Sequence, residues 1–361
     1  MDVSYCHAVT DDGIKGLCSD EYGLESEMKK MGQCKFLHTL KMKETKVTKT
    51  GVKLALEHLP ELRTFEFPRS VQILAELRRE NLERGNFKTY PLTEFDCDEF
   101  EDDSGNSVPY ESGSLRLAAN ICPNVNVVYI TLQTGVTDIE LRGLLELKSV
   151  RELNISGNFP ETSDQITFDG GVLPLLKTFG RFLRLLRLEY LNICVNIRAI
   201  AAYCPHLEDL ALDDNASYSM VSLEVGSLYK EAKLKFLKKM YVSSEWSPSF
   251  SSKMLSFLLS SPELKSLDVY HCDVLNDEDL EKSAFIHEFR NLKRLHLNFC
   301  ACVTKKGIDV LMNEVNPLRE LVVRECEMIS EQDFDEWQQK AKKENLNIKC
   351  YYVRYLPPRV V

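Results

Sequence analysis

Cysteines are the residues of this chain whose type and spacing first suggest chemistry. Cys272, Cys300, Cys302 and Cys326 lie in its C-terminal third, and His271 directly precedes the first of them. Thiolates and imidazoles are zinc ligands, so a metal site is one interpretation of this set. However, no two cysteines in the chain have the C-x-x-C spacing of a structural zinc site. The spacing favours structural thiols over a metal centre or redox chemistry, and we expect no cofactor.

A second candidate is an acidic segment, TEFDCDEFEDDSGNSVPYESG, at residues 93–113. Paired carboxylates perform acid–base catalysis when burial separates their pKa values. The glycine, serine and asparagine residues around these acids favour a solvated loop instead. The sequence contains no phosphate-binding glycine loop, no H-E-x-x-H zinc motif and no G-x-S-x-G nucleophile motif. We therefore expect a protein that is not an enzyme.

Composition narrows the classes of partner. The 361-residue chain carries a formal charge of -10 and has a pI near 5.4, which argues against nucleic-acid binding because that function needs a basic face. No apolar run approaches the ~20 residues that span a bilayer, so we expect no membrane contact. Twelve cysteines, with no basic and apolar leader at the N-terminus, predict free thiols in the cytoplasm or the nucleus.

The elements that would position any site follow a repeat. An apolar-x-x-apolar-x-apolar pattern, typical of a half-buried strand, recurs eleven times. Its middle positions are Leu40, Phe65, Phe95, Val128, Leu153, Leu191, Leu210, Met240, Leu267, Leu295 and Leu321. The first and last are 281 residues apart, or about 28 residues per interval, within the range of leucine-rich repeats with one strand and one helix. Between 156 and 210 the phase is ambiguous, since Leu183 and Leu186 also fit.

Each strand pattern is followed by signals for one helix. Threonine, asparagine or serine stands at the expected N-caps: Thr10, Thr48, Thr137, Asn276, Thr304 and Ser330. Thr137 and Glu140 have the spacing of a capping box. Prolines stop several helices before the next strand. Because a single strand–helix unit cannot bury its apolar face alone, the pattern predicts a stack of units.

Two segments carry a family resemblance. LHLNFCACVTKKGI (295–308) and LVVRECEMISEQDF (321–334) resemble the cysteine-containing leucine-rich repeats of F-box/leucine-rich-repeat proteins, the substrate receptors of cullin-based SCF ubiquitin ligases. The resemblance implies an α/β solenoid: a ribonuclease-inhibitor-like horseshoe with a parallel concave β-sheet, convex helices and about 11–13 repeats. It also implies a non-enzymatic scaffold that binds a protein substrate, with the SCF adaptor and a cullin as further partners.

The F-box expected upstream of the repeats is not visible in this sequence. We expect either a part of a longer F-box protein or a stand-alone scaffold or inhibitor; a GTPase regulator is a third alternative. We predict one leucine-rich-repeat domain over 1–361. It would contain an irregular first repeat at 1–33, the acidic insert at 98–113, irregular repeats at 156–236 and a C-terminal cap at 328–361.

A partner site is expected on the concave face, because strand side chains alternate between the core and that face. Tyrosine and arginine are enriched at binding hot spots, and they mark the later repeats. The candidates are Tyr129, Asn154, Tyr190, Asn192, Tyr241, Tyr270, Arg294, His296 and Asn298. A second candidate is an acidic patch that would attract a basic segment of a partner: Asp96, Asp98, Glu101, Asp102 and Asp103.

Neutralising Asp98, Glu101, Asp102 and Asp103 together should slow association with a basic partner and flatten the salt dependence of the association rate. The reason is that charge steering acts over the screening length, ~8 Å at physiological ionic strength. Stopped-flow association at several salt concentrations measures both effects, and the melting temperature should stay nearly unchanged. An association rate indifferent to salt and to these four changes would contradict the patch.

Overall fold

The protein, described from a computed structural model, forms two compact units, Met1–Phe179 and Gly180–Val361. The structure describes residues 1–18, 34–97, 110–132, 135–157, 166–221, 233–245, 250–287, 289–312 and 318–354. Residues 98–109 of the predicted acidic insert, and 19–33 of the predicted first repeat, lie outside these ranges. The single domain over 1–361 stays a prediction.

The first unit alternates helices and strands. Its elements are α1 (Asp11–Cys18), β1 (Thr39–Lys41), α2 (Lys49–His58), β2 (Thr64–Glu66), α3 (Ser70–Glu83), β3 (Glu94–Cys97), α4 (Ser114–Ile121), β4 (Val127–Thr131), α5 (Asp138–Arg142), β5 (Glu152–Ser156) and α6 (Leu173–Phe179). A 3₁₀ turn at Gly143–Glu146 and a π-helical turn at Phe168–Val172 lie between α5 and α6. Strand β1 pairs in parallel with β2, and β3, β4 and β5 pair in parallel in that order.

The second unit continues the alternation. Its elements are β6 (Leu185–Glu189), β7 (Cys194–Asn196), α7 (Ile197–Tyr203), β8 (Asp209–Asp213), β9 (Ser217–Ser219), β10 (Lys239–Ser243), α8 (Ser252–Leu258), β11 (Ser266–Tyr270), α9 (Asp277–His287), β12 (Arg294–Asn298), α10 (Lys305–Asp309), β13 (Glu320–Arg324), α11 (Glu331–Lys343) and β14 (Lys349–Val353). A parallel sheet runs in the order β6-β8-β10-β11-β12-β13-β14, and β7 pairs in parallel with β9.

The strand pattern read from the sequence is confirmed in ten of its eleven positions. Leu210, Met240, Leu267, Leu295 and Leu321 are side by side in the register of the second unit, and all are buried. With β7 and β9 set aside, twelve of the fourteen described strands occupy the repeat position, within the expected 11–13 repeats. The α/β leucine-rich-repeat fold is therefore confirmed.

The phase expected for the strand near residue 190 is wrong. The strand is β6, and the buried Leu186 takes the middle apolar position of the pattern, where the sequence predicts Leu191. Arg187 therefore takes the outward position beside Ala211, and Asn192 lies beyond the strand. The segment FLRLLRLEYLNI fills both frames with apolar residues, and Leu191 is buried as well. Hydrophobic periodicity alone therefore does not distinguish the two frames.

The cysteines after the strands perform the structural role predicted for them. His271, Phe299 and Glu325 follow their strands in the left-handed conformation, and each is followed by a buried cysteine. The Cys300 thiol donates to the Val269 carbonyl of the preceding strand at 3.8 Å. The thiol of Cys326 donates to the Leu297 carbonyl at 3.6 Å, whereas Cys302 and Cys6 are exposed. Cys6 occupies the same kind of turn, because Tyr5 before it is also left-handed, but its thiol is exposed, since no strand precedes this turn among the described residues to offer a carbonyl.

Adjacent helices are tied at their N-termini by an acid of one repeat and a threonine of the next. Asp277, the first residue of α9, accepts from the amide of Thr304 at 2.8 Å and from its hydroxyl at 2.6 Å. Two equivalent ties join Asp11 to Thr48 and Asp138 to Thr167. A glycine follows each of these threonines by three residues: Gly51, Gly170 and Gly307. Each glycine lets the aspartate carboxylate approach, because a Cβ at that position would lie within 2.5 Å of a carboxylate oxygen.

The helix caps predicted at Thr48, Thr137, Asn276, Thr304 and Ser330 are confirmed, but the capping box at Thr137 is wrong. The carboxylate of Glu140 turns to the preceding repeat, where it accepts from the Ser112 hydroxyl at 2.8 Å and the Gly113 amide at 2.6 Å. A capping box forms instead between Ser330 and Asp333.

Replacing Gly307 with alanine should destabilise the protein by about 1–3 kcal/mol, because the new methyl group would displace Asp277 from its tie to Thr304. Gly13 is the matched control. It occupies the same position of the motif in α1, yet a Cβ there would meet only Val9 Cγ1, at 3.7 Å. Gly13→Ala should therefore stabilise by up to about 1 kcal/mol, the helix preference of alanine. Denaturant unfolding measures the free energy of unfolding of both variants. Equal changes in the two would contradict this role of the tie.

Candidate protein-binding site

The outward side chains of the second unit form three adjacent columns across its parallel sheet. The central column is Arg187, Ala211, Tyr241, Asp268, His296, Val322 and Tyr351. The register places Tyr270 and Asn298 in the column after it and Arg294 in the column before it. The structure thus brings together five of the predicted partner-binding residues: Tyr241, Tyr270, Arg294, His296 and Asn298.

Two of these residues form an aromatic pair. The rings of Tyr241 and Tyr270 lie 5.2 Å apart between centroids, and both side chains are half-buried. Burial, followed by the neighbouring carboxylate of Asp213, raises the pKa of the Tyr241 hydroxyl. The pair therefore presents apolar area with phenolic hydroxyls at its edge, a combination common at protein interfaces.

His296 is held between two carboxylates. Its Nδ1 lies 2.7 Å from Asp268 Oδ1, and its Nε2 lies 3.6 Å from Glu320 Oε1. The hydrogen bond to Asp268 raises the pKa of His296 against the opposing effect of burial. Arg294 beside it is exposed. Asn298 is only 2% exposed, so its side chain offers little surface to a partner.

The two predicted residues near β6 have different positions from those expected. Tyr190 follows β6 in the left-handed conformation and is 39% exposed. Burial and then the charge of Asp213 in the next strand raise the pKa of Tyr190 to about 12. Tyr190 therefore stands at the edge of the outward face, beside the carboxylate of Asp213. Asn192 lies two residues further on, outside any strand.

Three predicted residues, Asp96, Tyr129 and Asn154, are adjacent in the register of the first unit. The Tyr129 hydroxyl donates to Glu152 Oε2 at 3.3 Å. Asp96 faces outward as expected and forms an ion pair with Lys43 at 3.4 Å. The described part of the acidic patch is therefore partly neutralised. Asp98, Glu101, Asp102 and Asp103 lie outside the described residues, so the rest of the patch stays a prediction.

Sequence reasoning missed an acidic pocket on the outward face of the second unit. The pocket has a volume of about 240 Å³ and is lined by residues of β6, β8, β10 and β11. Its carboxylates are Glu189, Asp209, Asp213 and Asp268. The signal for Asp213 was present, because it directly follows Leu212, the last apolar position of its strand. Glu189 was hidden by the wrong phase of β6.

Comparison with known proteins supports the fold. No family model and no curated protein sequence matches this chain. The solved structure of Rad7 in complex with Elc1, from yeast, is similar with a TM-score of 0.59 and 18% identity, over 96% of this chain and 85% of that one. An internalin from Listeria monocytogenes is similar with a TM-score of 0.43 and 12% identity, over 83% and 77%. At such identities the similarity to Rad7 shows a shared fold alone.

Two further observations concern the described residues only. None of their helices is both long and apolar enough to cross a bilayer. Among the same residues, no three histidine, cysteine or acidic side chains are grouped as metal ligands would be.

His296→Gln should make stability less sensitive to pH above neutrality. Because its pKa is raised in the folded state, the charged pair with Asp268 stabilises fully below about pH 6.5, the unfolded pKa. That contribution disappears as the pH rises through the raised pKa of His296. Thermal unfolding from about pH 6 to about pH 8.5 should thus show a steeper loss for the parent protein than for the variant. Asp268→Asn should flatten the curve in the same way, and the double variant no further; a parent curve with the same slope as the variants would contradict the pairing.

Proposed function

We propose that this protein is a non-enzymatic scaffold that binds another protein on the outward face of its second unit. The observation that carries the proposal is the row of half-exposed side chains on the parallel sheet, with the Tyr241–Tyr270 pair next to His296 and Arg294. Tyrosine and arginine combine apolar area with a polar group at low entropic cost, which makes them frequent binding anchors. Regular pairing of seven parallel strands holds these anchors in place before a partner arrives.

We further propose that the bound protein is a substrate of an SCF-type ubiquitin ligase. Two observations support this. The cysteine after the strand, the feature on which the resemblance to F-box/leucine-rich-repeat proteins rests, occupies its turn in three successive repeats. Rad7, which shares the fold, was crystallised in complex with another protein, Elc1. An F-box upstream of the repeats would bring the SCF adaptor and a cullin to the complex.

Site-specific photo-crosslinking tests the binding face. A benzoylphenylalanine at Val322, on the outward face, should crosslink to a discrete protein in cell extract. The same group at Lys282 should not, because this position belongs to helix α9 and not to the sheet; its side chain is 59% exposed, so it is an accessible control. Changing Tyr241 and Tyr270 to alanine should lower the crosslinked yield at Val322 at least tenfold. Crosslinks from Lys282 in place of Val322 would contradict the proposed face.

The ligase role has its own test. The full-length product, affinity-purified from cells, should contain the SCF adaptor and a cullin, and the protein crosslinked at Val322 should accumulate when the product is depleted. Crosslinking at Val322 without adaptor, cullin or accumulation would instead indicate the stand-alone scaffold or inhibitor.

A further inference from the structure

The acidic pocket contains a carboxylate whose burial the fold compensates only in part. Asp213, at the end of β8, is only 7% exposed and lines the pocket. Its Oδ1 atom is buried and accepts no hydrogen bond from the described residues. Burying a charge without full pairing is costly, which marks Asp213 as a candidate ligand-binding group.

The surroundings of Asp213 show which charge is missing. Burial raises the pKa of Asp213, and the neighbouring Asp214 adds to the effect, while the hydroxyls of Ser243, Tyr190 and Tyr241 oppose it. The hydroxyls are neutral dipoles, so they leave a net negative charge in a half-enclosed space. A positive group entering the pocket would provide the interaction that these dipoles do not.

The two cations of the pocket wall pair with carboxylates of the pocket other than Asp213. Lys239 Nζ lies 3.5 Å from Asp209, and Arg187 lies 3.9 Å from Glu189. Asp268 is paired with His296. Among the carboxylates of the pocket, Asp213 is therefore the one that has no cationic partner among the described residues. The ring of Tyr241 in the wall adds a π face, which attracts ammonium and guanidinium groups.

We propose that this pocket binds a basic side chain, lysine or arginine, of the partner protein, with Asp213 as its counter-ion and Tyr241 as its wall. This inference rests on the proposed function, because it gives the partner on that face a recognisable chemistry. A pocket of about 240 Å³ has room for the end of one such side chain. Asp213 would thereby act as a specificity-determining residue, since an uncharged side chain leaves its carboxylate buried and unpaired.

Short peptides provide the probe. The peptides acetyl-Gly-Gly-X-Gly-Gly-amide, with X as lysine, arginine or norleucine, are titrated into the full chain and followed by ligand-detected NMR. The lysine or the arginine peptide should bind at least tenfold more tightly than the norleucine peptide, and the tighter of the two identifies the preferred cation. Equal binding by all three would overturn the proposal.

A matched pair of variants locates the binding. Asp213→Asn should lower the affinity for the basic peptide at least tenfold. Asp273→Asn, which removes one negative charge from an exposed position of the same unit, should change it less than twofold. The melting temperature of Asp213→Asn at pH 7 should be no lower than that of the parent, because the change removes an unfavourable buried charge. If this variant fails to fold, Asp209→Asn at the pocket wall should still weaken binding at least threefold.

The two proposals fail separately. Crosslinking from Val322 without pocket-dependent peptide binding would overturn the basic side chain and leave the scaffold in place. Conversely, peptide binding that is lost in Asp213→Asn, together with no crosslinking from Val322, would support the cation pocket and overturn the protein-binding face.

Discussion

Several of the described repeats depend on a neighbouring repeat to satisfy buried polar groups. On the sheet side, Asn215 donates to the Leu188 carbonyl of the preceding strand at 2.8 Å, and Cys326 makes the corresponding bond to Leu297. On the helix side, Asp277 accepts both polar groups of Thr304. A buried donor or acceptor without a partner costs about 1–3 kcal/mol, so these ties oppose slippage between repeats. These ties between repeats therefore also hold the outward columns of side chains in order.

The same ties give two of the described thiols a structural role. Asn215 and Cys300 take equivalent positions after their strands, and both donate to the carbonyl of the strand before. The thiol is the weaker donor but is readily buried, which suits a turn closed on all sides. The residues that follow the strands in the left-handed conformation, such as His271 and Phe299, then point their rings along the edge, where they stack 4.4 Å apart.

Charged side chains of the strands lie on the outward face, because burying them in the apolar core would be costly. Several of them are paired: His296 with Asp268 and Lys239 with Asp209 in the second unit, and Lys43 with Asp96 in the first. Such pairs at a half-exposed surface contribute less to stability than the apolar core does, so their arrangement is free to serve recognition. Asp213 differs from them because it is buried and has an unpartnered oxygen. A rigid sheet tolerates this cost because its stability comes from the ladder and the apolar core.

The sequence by itself determined the features that depend on neighbours within one repeat. Alternation along a strand predicted the buried Leu295 and the outward His296, and the helix caps at Thr304 and Ser330 followed from residue type, because these effects act over a few residues. Only the tertiary structure decided the phase of β6, the direction of Glu140 and the pocket around Asp213. Each of these depends on a contact with another repeat, about 28 residues away in the chain, where the partner is chosen by packing and not by local pattern.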